Sequence, residues 1–192
     1  MPSTLIEARA VRFTSIARHA PVVIAGVGLM VLAAKTQIPF WPVPMTLHTL
    51  AVMAFAVALG PQRAVSIVAA YLAVGAAGFP VFSGSPERGI GLAYLVGPTG
   101  GYLAGYLAAS WLVGTLARGR GVPGQLFAML VGLVLVYAVG LAWLALFVPA
   151  SQLTAVGLWP FLLGDLLKLC VVAAGSALLP IVLSGPSAWW RR

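Results

Sequence analysis

The chain has 192 residues, of which 61% are hydrophobic and only 7% charged, and its mean hydropathy is +1.05. A soluble domain carries about a quarter charged residues, so this composition excludes a water-facing exterior, and the solvent has to be lipid. The net charge of +8 comes from arginines scattered in ones, twos and threes beside apolar runs, which is an orientation signal rather than a phosphate-binding face.

Spans of about 20 residues leave room for about six helices. Runs such as LFAMLVGLVLVYAVGLAWLALFV exclude the short alternating segments of a membrane β-barrel. The expected fold class is an all-α membrane protein with six transmembrane helices in a single domain. Residues 1–19 form a cytoplasmic N-terminal segment, 20–183 the six-helix core, and 184–192 a cytoplasmic tail. The basic stretch LIEARAVRFTSIARHA resembles the flank of a signal peptide. The apolar segment after it is long enough to span and has no clear small-x-small cleavage site. It is read as a retained first helix, about Pro21 to Ile38, stopped by PFWPVP, where three prolines in six residues cannot continue a helix.

The second segment runs from about Leu47 to Leu59 and ends at GPQR; the third runs from about Ala64 to Ala77 and ends at GFP. A polar, Gly-rich stretch, VFSGSPERGIG, follows. The fourth segment covers about Gly97 to Ala117, the fifth Gln125 to Val148 and the sixth Leu158 to Leu183. With six spans, Arg9, Arg12, Arg18, Arg63, Arg118, Arg120, Arg191 and Arg192 all fall on one side. Arg88 stands alone in the opposite loops, with Lys35 near the outer end of the first helix. The excess of arginine puts both termini in the cytoplasm. Trp41 and Trp159 fall near the outer interface, Trp189 and Trp190 near the inner one. There is no internal repeat of the kind that builds many secondary transporters, and the single Cys170 allows no intrachain disulfide.

Within this apolar chain, PFLLGDLLKLC places Asp165 and Lys168 one helical turn apart on one face. They lie about two to three turns below the outer end of the sixth helix. A charge near the centre of a membrane helix costs about 2.5–3.5 kcal/mol on insertion scales, and hydrocarbon at both positions would cost less. The pair is either a structural clamp on a neighbouring helix or part of a site. As a site, a carboxylate beside an ammonium matches a neutral group with adjacent N–H donors and a carbonyl, such as a cyclic urea or amide. It could equally serve as a proton relay.

GPTGGYLAGY opens the fourth segment, with Gly97, Gly101 and Gly105 spaced every four residues. That leaves a bare face for close helix packing, or alternatively for a ligand. It is no phosphate cradle, since neither Lys35 nor Lys168 follows the glycines. QIPFWPVPMTLHTL is suited to a lid or mouth over a cavity, or is a plain hairpin connection. His48 has no Cys or carboxylate at ligand spacing, so a hydrogen-bonded role is expected and no metal site is. Glu87 and Arg88 form either a surface charge pair or, through Arg88, a holder for an anionic ligand group. Ala25, Gly26 and Gly28 suit a tight contact within the chain or with a partner. No Ser–His–Asp order, HExxH or paired carboxylates appear, so no enzyme machinery and no cofactor are expected.

Taken together, QIPFWPVPMTLHTLAV, GFPVFSG, GPTGGYLAGY and PFLLGDLLK, in this order and spacing, resemble the BioY family over about residues 20 to 183. These are the biotin-specific S components of energy-coupling-factor (ECF) vitamin transporters. The resemblance implies an S-component fold in the bacterial inner membrane that holds one biotin near the outer face. It implies as partners a transmembrane T component and two ABC-type ATPases, with the loaded S component toppling in the membrane to release its vitamin inside. It implies that Asp165 and Lys168 contact the ureido ring, with the thiophane ring among Tyr94 and Tyr102 and Arg88 at the valerate carboxylate. Ala25, Gly26 and Gly28 would face the T component, without the family's Ala-x-x-x-Ala spacing, and His48 stands where the family usually has Gln. The competing expectations are a proton-coupled secondary transporter using Asp165, an S component for another vitamin, and a membrane protein whose charged pair is only structural.

Overall fold

The computed structural model describes residues 3–38 and 45–184. Among the described residues there are eight helices and one two-stranded hairpin. The long helix α1 (Ser3–Lys35) leads into the hairpin β1 (Gln37–Ile38) and β2 (Met45–Thr46), which pairs antiparallel with Gln37 opposite Thr46. Next come α2 (His48–Leu59), α3 (Pro61–Ala76), the short α4 (Gly91–Leu95) and α5 (Gly100–Leu116). The chain continues through α6 (Val122–Leu144), the short α7 (Ala150–Gly157) and α8 (Trp159–Ser184).

The six long helices coincide with the six apolar segments, but three details differ from the sequence expectation. Helix α1 begins at Ser3 and runs through Pro21 rather than starting there. The preceding residues include several Ala and Arg, which favour helix, and they carry it past the one backbone N–H that Pro21 lacks. Gly97–Thr99 form a turn before α5 rather than its first residues. The third difference is the hairpin, α4 and α7, which are too short to stand out as apolar segments. Residues 39–44, the whole PFWPVP stretch including Trp41, lie outside the described residues, as do Trp189, Trp190, Arg191 and Arg192.

Glycine decides how the helices meet. A Cβ on Gly101 would collide with the Trp143 side chain, and one on Gly105 would lie 3.0 Å from the Val136 Cα, so these positions press α5 against the backbone of α6. The face that could have taken a ligand is therefore occupied by a helix. From the other side, Gly132 of α6 admits Val113, and Gly140 admits the ring of Tyr102. Helix α5 also packs on α3 and α2, α8 lies against α2 and α6, and α1 lies against α3 and α2.

The arginine-bearing connections close one end of this bundle. Gly60, at φ +77°, turns α2 into α3 in a single residue, and a Cβ on Gly114 near the end of α5 would lie 2.6 Å from Pro61. Arg63, Arg118 and Arg120 are thus at the same end, all exposed. The longer connections gather at the other end. Val122–Leu144 and Ala150–Leu178 are long and apolar enough to cross a membrane, with mean hydropathies of 2.4 and 1.8. Exposed apolar side chains also cover α1 (Ile24, Leu32), α6 (Phe127, Val134) and α8 (Leu163, Leu167). An apolar surface of that extent belongs against lipid.

Candidate functional site

A cavity of about 320 Å³ lies at the end of the bundle away from Arg63, Arg118 and Arg120. That is at the lower end of the roughly 300–1,000 Å³ typical of small-molecule sites. Asp165, Lys168, Arg88, Tyr94 and Tyr102 all line it, so five side chains separated by up to 80 positions share one wall system.

Asp165 and Lys168 face it from α8, each only 6% exposed. The i, i+3 spacing brings the Lys168 Nζ to 2.8 Å from Asp165 Oδ1, the one ion pair among the described residues. The other carboxylate oxygen, Oδ2, accepts a hydrogen bond of 2.7 Å from the Tyr137 hydroxyl on α6. Both oxygens are therefore engaged by donors, which offsets the cost of burying the charge. A carboxylate offers about four lone-pair positions and an ammonium three protons, so the pair keeps acceptor and donor capacity for a third, uncharged group.

The side wall is aromatic. His48, at the first turn of α2, stacks on Tyr106 with centroids 5.6 Å apart and meets Tyr71 at 5.7 Å. Tyr71 meets the edge of Phe82, and Phe82 stacks on Tyr94 at 4.7 Å. His48, Tyr106 and Tyr94 reach the cavity, while Tyr71 and Phe82 are fully buried behind them. Hydrogen bonds run through this ladder: the Tyr71 hydroxyl lies 3.2 Å from the Val81 carbonyl and 2.8 Å from His48 Nε2, and His48 Nδ1 lies 3.0 Å from the Thr46 hydroxyl. Both ring nitrogens are committed to structure.

Tyr102 is wedged between Gly140 and Gly157 and donates to the Gly157 carbonyl at 2.7 Å, tying α5 to α7. Tyr94 donates to the Ser83 carbonyl at 2.7 Å. Burial pushes the Tyr94 phenol up, against the opposing pull of a Thr99 hydrogen bond and the Arg88 charge, and it remains a neutral donor. Arg88 comes from the loop between α3 and α4, where its aliphatic stem lies across Gly84. It makes no ion pair with Glu87.

A model of the BioY family matches residues 6–183. The biotin transporter BioY of Thermotoga maritima is 37% identical over 76% of this chain and 85% of its own length. The probable biotin transporter BioY of Pyrococcus horikoshii is 33% identical over 79% and 90%. The chain belongs to the BioY family. In three dimensions it is similar to the crystal structure of the S-component for biotin from an ECF-type ABC transporter. The TM-score is 0.70 and the identity 25%, covering 84% of this chain and 89% of that one.

Within this BioY family member, sequence reading alone did not single out Tyr137, Tyr106, Thr49 or Ser83 for the cavity. Tyr137 had a signal. It is the one phenol in the aliphatic run GLVLVYAVGL, and a buried hydroxyl in such a run needs a partner. Of the small residues on α1, Gly26 turns inward, where a Cβ would lie 2.5 Å from the Ile67 side chain. Ala25 and Gly28 face outward, with nothing within 4 Å of a Cβ at Gly28.

Proposed function

We propose that this chain captures biotin with high affinity and carries it across the bacterial inner membrane as the substrate-binding S component of an ECF transporter. The observation that carries this reading is the buried Asp165–Lys168 pair, held by Tyr137 on the wall of a cavity otherwise lined largely by aromatic and aliphatic groups. The ureido head of biotin has two N–H donors and one carbonyl acceptor. Asp165 takes an N–H, Lys168 donates to the carbonyl, and a buried site built on such pairing rejects analogues that lack these groups. The thiophane ring lies among Tyr94, Tyr102 and Tyr106, and Arg88 holds the valerate carboxylate.

In this reading the six long helices all span, both termini are cytoplasmic, and the cavity opens towards the outer face. A T component and two ABC-type ATPases are the partners that supply energy, and the outward face of α1 around Ala25 and Gly28 is where the T component seats. Biotin is substrate, and no cofactor takes part.

The test is equilibrium binding of labelled biotin to the purified full chain in detergent or nanodiscs. Saturable binding near one per chain, sharply weakened in Asp165→Asn with the fold intact, supports the reading. A folded chain that binds no biotin overturns it.

A further inference from the structure

Lys35 is one of only two lysines in the chain, and the site described above does not use it. It ends α1, and among the described residues no part of α1 lines the cavity. Its Nζ nevertheless donates to the backbone carbonyl of Ser85 at 2.6 Å and to the Ser85 hydroxyl oxygen at 3.0 Å. Ser85 is buried and passes the connection on, its hydroxyl donating to the Phe82 carbonyl at 2.7 Å. Lys35 therefore grips the loop of residues 77–90 from outside, at the point where Phe82 anchors it from inside. The Phe82 ring fills the space that Gly75 leaves by having no Cβ.

This loop brings Ser83 and Arg88 to the cavity. Gly78, Gly84 and Gly89 have φ of +97°, +67° and +103°, a region that side chains rarely adopt. The loop is thus a chain of turns with little secondary structure of its own, so its position depends on its few holds. Phe82, the Tyr94–Ser83 bond and the Tyr71–Val81 bond hold its inner side. Lys35 makes the hydrogen bonds that join it to α1 among the described residues.

We propose that Lys35 is a positioning residue for ligand retention: it clamps the loop carrying Arg88 and Ser83 to the end of α1 and so slows ligand escape. The grip is mainly on a backbone carbonyl, so it fixes where the loop lies without reading the side chain at that position. This rests on the biotin-capture reading for its ligand, but the clamp itself is a property of the empty chain.

The test uses the full chain in nanodiscs with labelled biotin. Lys35→Met keeps the length and removes the donors. It is expected to release biotin about fivefold faster, the scale of a partly exposed charge-assisted hydrogen bond, with association changed less than twofold. Lys35→Arg, which restores a donor, returns release to within twofold of the parent. In an Arg88→Ala background, Lys35→Met adds less than twofold, because the clamp acts through the loop. In the ligand-free chain, amide exchange at Ser85 and Arg88 quickens in Lys35→Met while the helices keep their protection. Unchanged release overturns the proposal, as does a release rate that only follows a global loss of melting temperature. If the parent chain binds no biotin, the capture reading fails, and loop exchange alone decides the clamp: faster exchange supports it and unchanged exchange overturns it.

Discussion

The two ends of the bundle are built from the same six long helices and solve opposite problems. At the arginine end the connections are minimal: Gly60 alone joins α2 to α3, and Ala117–Gly121 joins α5 to α6. Gly114 lets the Gly60–Pro61 turn sit directly on α5, so helix termini close without space between them. At the other end the connections are long enough to hold a hairpin, α4, α7 and the loop with Arg88, and they surround a cavity. Arg63, Arg118 and Arg120 at the closed end are exposed, whereas the open end carries both exposed charges, Lys35, Glu87 and Arg88, and buried polar groups, Asp165, Lys168, His48 and Thr49. In the proposed reading, the exposed arginines at one end serve orientation, and the buried pair at the other serves the ligand. Only the second kind has to be balanced by designed partners.

The sharpest way to break that contrast is to make the open end as apolar as the rest. Replacing both Asp165 and Lys168 by Leu should abolish biotin binding while leaving the melting temperature unchanged or raised, because buried ion pairs replaced by hydrocarbon are often neutral or stabilising by about 1–4 kcal/mol. Titration with labelled biotin and a thermal melt in the same detergent check both halves. A chain that fails to fold would show that the pair is a structural clamp instead.

The closed end should respond in the opposite sense. Gly114→Leu forces a side chain into the Gly60–Pro61 turn, where a Cβ would already be 2.6 Å from Pro61. Overpacking of this kind costs about 1–3 kcal/mol. The melting temperature should fall by several degrees, while biotin affinity of the folded fraction stays within twofold. A large loss of affinity would mean that the two ends are mechanically coupled.

The closed end was the legible one. Apolar runs, prolines and arginines are local signals, and they mark the six long helices to within a few residues, apart from the N-terminal extension of α1. The pairing of Gly101 and Gly105 with a neighbouring backbone was legible too, because bare faces have one main use in a helix bundle. At the open end, Asp165 and Lys168 stood out by their cost in an apolar helix. Their surroundings did not, because Tyr137 lies 28 positions away and His48 reaches Tyr71 across 23. Such contacts depend on how α2, α3, α6 and α8 are rotated, and no period in the sequence carries that information. The hairpin, α4 and α7 were missed for a related reason: they are short pieces shaped by what they pack against.

Tyr137 offers the finest test of the contrast, because it belongs to the packed α5–α6 pair and to the cavity at once. Its hydroxyl is a short bond to Asp165 Oδ2, and its ring meets Tyr102 edge-on at 6.5 Å. Tyr137→Phe keeps the ring and its packing and removes only the donor. If the bond serves to aim Asp165, biotin affinity should drop about tenfold, about 1.4 kcal/mol, with little change in melting temperature. The same change made on top of Asp165→Asn should then cost less than twofold, since the carboxylate it aims is gone. Two side chains that acted independently would instead give losses that multiply. A multiplicative result would place Tyr137 among the packing residues of α6, and the division between a packed bundle and a polar site would run between Tyr137 and Asp165 rather than behind them both.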